Sequence, residues 1–298
     1  MVKSALLWFL NVVLGDTFVL MCVMFALIGT LEYFLPAHKI TRGHYNLNLR
    51  FAFVNVFVIG IVAPLLAITT AYAIREVGLG LIDLHELGLG GFGGNLIALA
   101  VGTLIWDFLQ YWQHRLLHGN KILWQAHLLH HSDEHMNVTT TSRQHIFEIM
   151  LAPFFITIPM AILFKMPSVT IAVLSLLPFA WLYISHANIN LGFGPLWWLL
   201  VSPNYHRLHH SLMPEHIDKN FANWFPLWDI VFGTVRIPRR RECPSTGVRG
   251  VSVRLLREAY FLPLKGWISM YSRRMAGEID VMREDRPSPN DVARRSRF

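Results

Sequence analysis

The chain has 298 residues, of which 53% are hydrophobic and only 15% are charged, and its mean hydropathy is +0.40. This composition is too apolar for an ordinary soluble domain and predicts a membrane protein with several spans. The net charge is +7, and residues 236–298 alone hold 15 Lys and Arg against 7 Asp and Glu. Because no nucleic-acid motif accompanies these basic residues, they favour contact with anionic lipid over binding of nucleic acid.

The first two apolar runs are each long enough to cross a bilayer, which requires about 20 apolar residues. Residues 5–35 are interrupted only by Asp16 and Glu32, and residues 51–74 contain no charge. We expect both runs to be transmembrane helices. The first run is longer than the apolar region of a signal peptide and lacks a clear cleavage site, so we expect it to be retained.

The connections between the runs differ in charge. Residues 36–50 contain Lys39, Arg42 and Arg50 without an acidic residue, whereas residues 75–92 contain one basic residue and three acidic ones. Lys and Arg concentrate in cytoplasmic loops. Five spans that start outside are therefore expected to place residues 36–50, the histidine clusters and the C-terminus in the cytosol.

A third apolar run, residues 93–112, leads directly into the first of three histidine clusters. The clusters read HRLLH at 114–118, HLLHH at 127–131 and HRLHH at 206–210. Spacings of three and four residues put side chains on one face of a helix, so each cluster presents several imidazoles together. Imidazole binds zinc, iron and copper, and eight imidazoles are too many for one ion. The pattern predicts two metal ions at a membrane face.

The fourth and fifth apolar runs, residues 147–164 and 167–185, meet at Lys165, Met166 and Pro167. They are short enough to form either a tight hairpin that crosses the membrane or a re-entrant pair, and the pattern does not choose between these.

The end of the chain is basic and partly apolar. Residues 251–275 mix aliphatic and aromatic residues with Arg and Lys, which predicts an interfacial amphipathic helix. From about residue 276 the composition predicts disorder. Cys22 and Cys243 lie in different environments, which argues against a disulfide or an iron–sulfur cluster.

Several motifs accompany the histidines. They are D-x-x-x-Y-W-x-H-R from Asp107, HHSDEHMNVTTTSRQHIFE from His130, SHANI from Ser185, SPNYHRLHHS from Ser202 and WDIVFGT from Trp228. Together they resemble the fatty acid hydroxylase and sterol desaturase superfamily of integral-membrane di-metal oxidases, over roughly residues 93–236. The resemblance and the composition lead us to expect an all-α fold, a multi-span transmembrane bundle with a cytosolic helical cap that holds a di-metal histidine cluster.

The resemblance implies a set of metal ligands, carried over residue by residue. Where some relatives have a further histidine this chain has Asn190, so Asn190, His145, His135 or a water could fill a tenth position. The nine expected ligands are His114, His118, His127, His130, His131, His186, His206, His209 and His210.

Asp107 lies nearly two helical turns before His114 and so faces the same way. A carboxylate near the bilayer interior is costly and is a candidate for function. We expect it to orient a ligand imidazole through that ring's other N–H group. The alternative is a structural partner for Arg115 or Arg143. Trp224 and Phe225 are expected either to line a substrate tunnel or to lie at the membrane interface.

The resemblance implies a non-haem di-iron enzyme that hydroxylates or desaturates an unactivated C–H bond of a lipid. The cofactors would be two Fe ions, with Zn a possibility as purified, and O2 as co-substrate. Because no haem or flavin module is visible, an external electron donor is expected, a reductase with a ferredoxin or cytochrome. The alternatives are a histidine-rich metal transporter, which the scarcity of ionisable groups in the spans disfavours, and a membrane metallohydrolase, whose H-E-x-x-H motif is absent.

Three regions are expected along the chain. Residues 1–92 would form N-terminal transmembrane helices, residues 93–236 the histidine-containing domain, and residues 237–298 a basic cytosolic tail with an interfacial helix and a disordered end.

Overall fold

The computed structural model describes residues 16–40, 43–77, 80–83, 91–165, 168–239 and 242–275. These residues are mostly α-helical, as expected for an all-α fold. The long helices are α1 (Asp16–Phe34), α2 (Gly43–Val77), α3 (Gly91–Gly119), α4 (Lys121–His131), α5 (Ile146–Phe155), α6 (Thr157–Leu163), α7 (Ser168–Ser185) and α10 (Leu256–Met275). The shorter elements are α8 (Pro203–His209), α9 (Leu227–Val231), 3-10 helices at Val138–Ser142, Gly194–Leu196 and Pro214–His216, and strands β1 (Ile82–Asp83) and β2 (Phe164–Lys165).

Three helical segments in the described part of the chain are long and apolar enough to cross a membrane. They are His44–Val62 within α2, Gly91–Gly119, and Ile146–Leu163, which comprises α5 and α6. Helix α1 contributes a shorter apolar segment, Phe18–Phe34. The chain is therefore a membrane protein. Residues 5–15 of the first predicted run and the tail from residue 276 lie outside the described residues.

The fourth and fifth apolar runs form two helical arms that are joined through β2. The first arm, Ile146–Leu163, and the second arm, α7, contain 18 residues each. At 1.5 Å per residue each arm is about 27 Å long, close to the thickness of the hydrocarbon core. Strand β2 between the arms pairs in parallel with β1, which follows α2, and Lys165 forms an ion pair of 3.0 Å with Asp83. Each arm is therefore long enough to cross the hydrocarbon core.

The helix ends beside the histidine clusters are joined by buried polar contacts. Near the end of α1, Glu32 accepts hydrogen bonds of 2.6 Å from the backbone N–H groups of Val138 and Asn188. In α2, the Asn48 side chain donates to Asp133 at 2.7 Å. The ends of α1, α2 and α7 therefore meet at the same end of the bundle as the histidines.

Arg143, proposed above as a partner of Asp107, belongs to this polar layer. Its guanidinium donates to the Leu129 carbonyl at 3.1 Å, the Ser132 hydroxyl at 2.9 Å and the Asn48 side-chain oxygen at 3.3 Å. It therefore ties the end of α4 to α2.

Helix α10 forms within the predicted interfacial segment and packs across α4. The Trp267 indole donates to the Ile122 carbonyl at 2.8 Å, and Gly266 lies directly against the Gln125 side chain. Since α4 carries three of the predicted ligands, α10 packs on a wall of the histidine site.

We expect Gly266→Ala to gain less stability than the control below, because the added Cβ would overlap the end of the flexible Gln125 side chain, which must rotate away. The rotation gives up the hydrogen bond of 3.3 Å from Gln125 to the Lys121 carbonyl, a net loss of about 0.5–1.5 kcal/mol that offsets the better helix propensity of alanine. Unfolding of the detergent-solubilised protein measures the effect. The matched control is Gly29→Ala in α1, where no atom lies within 4 Å. Equal stability of the two variants would contradict close packing of α10 on α4.

Candidate metal centre

All nine histidines expected as ligands come together at one end of the bundle. Helix α3 supplies two from its last turns, α4 supplies three, and α8 with the residue that follows it supplies three. His186 comes immediately after α7. Every one of the nine is buried, with 1–7% of its surface exposed.

The nine rings fall into two groups, in each of which the candidate nitrogen atoms lie within 4.8 Å of one another. Group I consists of His114, His118, His127, His131 and His209. Group II consists of His130, His186, His206 and His210.

Neighbours in the sequence belong to different groups. His130 and His131 are separated in this way, as are His209 and His210. Adjacent helical residues point about 100° apart, so each H-H pair directs one ring to each group. The repeated H-x-x-H-H pattern therefore serves two neighbouring centres.

Three rings have their protonation fixed by a backbone carbonyl. The Nδ1 atoms of His114, His209 and His186 lie 2.7–2.8 Å from the carbonyl oxygens of Phe221, Lys219 and Leu182 respectively. A carbonyl only accepts, so each Nδ1 carries the hydrogen and each Nε2 presents a lone pair. In His114 and His209 this Nε2 is buried and has no hydrogen-bond partner in the described part of the chain.

Two further rings of group I contact carboxylates. His127 Nδ1 lies 3.1 Å from Glu148 Oε1, and His118 Nδ1 lies 3.3 Å from Asp218 Oδ1. A carboxylate behind an imidazole fixes the orientation of the ring and raises its basicity toward a metal. The Nε2 of His127 is also buried and unpartnered among the described residues.

The spacing of the nitrogens fits metal binding. In group II, His186 Nε2 lies 3.1 Å from His130 Nε2 and 3.0 Å from His206 Nε2, and His206 Nε2 lies 3.2 Å from His210 Nε2. Two nitrogens that bind one ion at about 2.1 Å and near 90° are about 3 Å apart. The buried, unpartnered nitrogens and this spacing both fit an ion at each group.

Burial keeps these imidazoles neutral. It lowers the pKa of His209 to about 3 and that of His186 to about 4, and it holds the pKa of His130, His206 and His210 well below the usual value. Neutral imidazole is the form that binds a metal. These five rings are therefore in their metal-binding form at neutral pH.

The residues considered for a tenth ligand make other contacts. Asn190 accepts a hydrogen bond of 2.8 Å from Asn204. His145 caps α5 by accepting from the Phe147 N–H group, and His135 packs its ring 3.6 Å from that of His44. Neither His145 nor His135 belongs to the two groups described.

The carboxylate of Asp107 accepts hydrogen bonds from a distant loop, and no hydrogen bond joins it to a ligand imidazole in the described part of the chain. Its two carboxylate oxygens each accept a hydrogen bond of 3.1 Å, one from the Trp224 N–H group and one from the Phe225 N–H group. The carboxylate therefore anchors the loop before α9 to α3. The alternative partner Arg115 donates to the Tyr111 hydroxyl at 3.2 Å and lies over the Trp112 ring.

We expect Asp107→Ala to lower the free energy of unfolding by about 2–3 kcal/mol, because two backbone N–H groups lose a charged acceptor. Thermal unfolding in detergent measures this loss. Asp107→Asn keeps one acceptor oxygen and should lose less. If alanine left stability unchanged but released metal, the carboxylate would act on a ligand after all.

Sequence reasoning missed the loop that positions group I. Residues 218–221 provide Asp218 to His118, the Lys219 carbonyl to His209 and the Phe221 carbonyl to His114. About 100 residues separate Asp218 from His118, and no spacing pattern connects them.

The same loop is held by Asp229, one of the motif residues. Its carboxylate accepts from the N–H groups of Phe221 and Ala222, the Tyr205 hydroxyl and the Thr234 hydroxyl, at 2.6–2.9 Å. The sequence did mark Asp229 through the WDIVFGT motif, but it did not reveal that this residue supports the loop.

A cavity of about 280 Å³ adjoins the two groups. At one end it is lined by histidines of both groups, including His127 and His186. Apolar side chains such as Val56, Ile149 and Phe179 line much of the remainder. Asn223 lines this cavity, whereas the Trp224 ring packs against Trp181. The buried histidines thus face a mainly apolar space between the helices.

Comparison with known proteins agrees with the geometry. The fatty acid hydroxylase family matches residues 99–234, which contain all nine histidines. This match confirms, over residues 99–234, the family resemblance inferred from the motifs. No solved structure matches the chain.

Three enzymes with lipid-related names are similar to this part of the chain. Alkylglycerol monooxygenase of Xenopus tropicalis is 38% identical over 136 residues, which are 46% of this chain and 30% of that protein. Ornithine lipid hydroxylase of Rhizobium tropici is 30% identical over 152 residues, 51% of this chain and 46% of that protein. Very-long-chain aldehyde decarbonylase of Arabidopsis thaliana is 30% identical over 156 residues, 48% of this chain and 24% of that protein. The chain thus spans less than half of each relative.

Proposed function

We propose that the protein is a membrane-bound, iron-dependent lipid hydroxylase that uses O2 and two external electrons. One observation carries the proposal: nine buried imidazoles form two groups against an apolar cavity. Because such a cavity excludes water and admits hydrocarbon, the reacting carbon of a lipid would be held beside the two ions. Two iron ions would supply the activation of O2 that breaks the C–H bond.

The chemistry of the site accommodates iron. All nine candidate ligands are nitrogens, and imidazole suits iron as well as zinc and copper. The two cysteines are elsewhere: Cys22 is exposed, and the thiol of Cys243 lies 3.3 Å from His38. The positions of the cysteines therefore do not support a structural zinc site with thiolate ligands.

Residues of the chain orient the substrate and the ligands. The size of the cavity, at the lower end of the range for ligand pockets, suits the reacting part of a lipid while the rest stays in the bilayer. Asn223 and the side chains of Gln110 and Gln113 line the cavity near His114 and offer polar contacts to a lipid headgroup. The names of two relatives, a monooxygenase and a hydroxylase, support hydroxylation over desaturation.

The end of the bundle that holds the histidines is proposed to face the cytosol. The loop after α1 lies at this end, because the Ala37 N–H group donates to the Asn188 carbonyl and His38 contacts Cys243. Its basic residues favour a cytosolic position. An external electron donor, a reductase with a ferredoxin or cytochrome, would reach the metal centre from this side.

The proposal is tested by adding isotopically labelled O2, a chemical reductant and a panel of membrane lipids to the iron-loaded protein in detergent. We expect a hydroxylated lipid that carries the label, detected by mass spectrometry. Unlabelled cleavage products would indicate a hydrolase. A protein that retains zinc and does not oxidise lipid after reconstitution with iron would also contradict the proposal.

A further inference from the structure

The two histidine groups differ in the contacts of the Nδ1 atom, which forms the outer edge of each ring. In group I, four of the five Nδ1 atoms contact an oxygen, and two of these oxygens belong to the carboxylates of Asp218 and Glu148. In group II, among the residues that the structure describes, only the Nδ1 of His186 has such a contact, with the Leu182 carbonyl. The other three rings of group II therefore need separate consideration.

Those three rings lack support on their outer edge. The Nδ1 atoms of His130, His206 and His210 are buried and have no hydrogen-bond partner in the described ranges of the chain. Without a partner on Nδ1, a ring is not held in one orientation and its basicity is not raised. Loss of a single such partner typically lowers metal affinity 10–100-fold.

We propose that the two groups are unequal metal sites, in which group I binds its ion first and retains it while group II binds more weakly and exchanges its ion. The inference rests on the proposed function, since it requires that both groups bind metal. It assigns Asp218 and Glu148 as positioning residues that act on group I through His118 and His127.

The loop behind group I is built to hold its position. Asp218 and Asn220 have φ angles of +56° and +59°, a left-handed conformation that Asp and Asn tolerate better than most residues. The Asn220 side chain donates to the carbonyls of Tyr205 and Arg236 and accepts from the Arg236 N–H group. These bonds fix the loop, so its contacts with group I are preorganised.

The first experiment measures iron binding by the full chain. Metal-free protein in detergent is dialysed anaerobically against increasing Fe²⁺, and bound iron is counted by elemental mass spectrometry. We expect two steps whose dissociation constants differ at least about tenfold. His186→Ala should keep the tight step, and His118→Ala should keep the weak one. A single step with two equivalent ions, or loss of the tight step in His186→Ala, would overturn the proposal.

The second experiment uses substitutions that preserve side-chain size. Asp218→Asn and Glu148→Gln should each weaken the tight step about 10–100-fold and leave the weak step unchanged. Glu258→Gln is the matched control, because the carboxylate of Glu258 accepts hydrogen bonds from the Arg254 and Leu255 N–H groups just before α10 and belongs to neither histidine group. Equal weakening of both steps would indicate a general structural effect and would overturn the assignment of positioning residues.

Failure of this inference is distinguishable from failure of the proposed function. Two equivalent irons together with labelled lipid product would refute only the inequality of the sites. Absence of any iron binding by either group would refute both proposals.

Discussion

Replacement of both His209 and His210 by alanine is expected to remove bound metal and to lower lipid oxidation at least 100-fold. Each substitution takes one imidazole from a different group, so a single pair of changes affects both ions. Since loss of a residue that only orients a ligand costs about 10–100-fold in affinity, loss of a ligand itself should cost more. Elemental mass spectrometry of protein from iron-supplemented cells measures the metal, and the labelled-O2 assay measures oxidation.

The matched control is a second double histidine variant, His44→Ala with His135→Ala. These two rings contact each other 3.6 Å apart and belong to neither group. The control should keep about two irons per chain and most of the activity. Retention of two irons after loss of His209 and His210 would contradict the assignment of the ligands.

Ala152→Phe is expected to lower lipid oxidation at least tenfold while leaving both ions bound. Ala152 is on α5 and lines the cavity, so a phenyl ring at this position would occupy space proposed for the lipid. The ring is not a ligand and leaves all nine imidazoles in place. Product formation at increasing lipid concentration should show a raised KM or no saturation. Metal content is measured on the same preparation.

Ala161→Phe provides the matched control for the cavity. Ala161 is on α6, in the arm Ile146–Leu163 that also contains Ala152, and it is not among the residues that line the cavity. Overpacking at either position costs about 1–3 kcal/mol, so stability alone would not separate the two variants. Equal loss of activity in both would indicate that the cavity is not where the lipid reacts.

The histidines at the metal centre could be identified from the sequence because helical spacing is a local property. Residues three or four apart share a face of a helix, so HRLLH and the two H-x-x-H-H clusters each predict a set of converging imidazoles. His186 stands alone in its part of the chain, and only the resemblance of SHANI to a family motif pointed to it. The structure places it in group II, beside His130 and His206.

The role of Asp107 shows where sequence reasoning stopped. The heptad-like spacing correctly placed it on the helix that carries His114, but its hydrogen-bond partners come from a loop more than 100 residues later in the chain. The carboxylates behind His118 and His127 likewise depend on where the loop at 218–221 and helix α5 lie. Such contacts follow from packing between distant segments, which no local spacing encodes.

By itself, the sequence determined the apolar helices and the imidazole-rich faces, because hydrophobic content and helical periodicity act over a few turns. Only the tertiary structure decided how nine rings divide into two groups and which oxygens hold them. Adjacent histidines diverge by about 100° on a helix, so their assignment depends on which neighbouring helix each ring meets. The unequal support of groups I and II is a property of that packing.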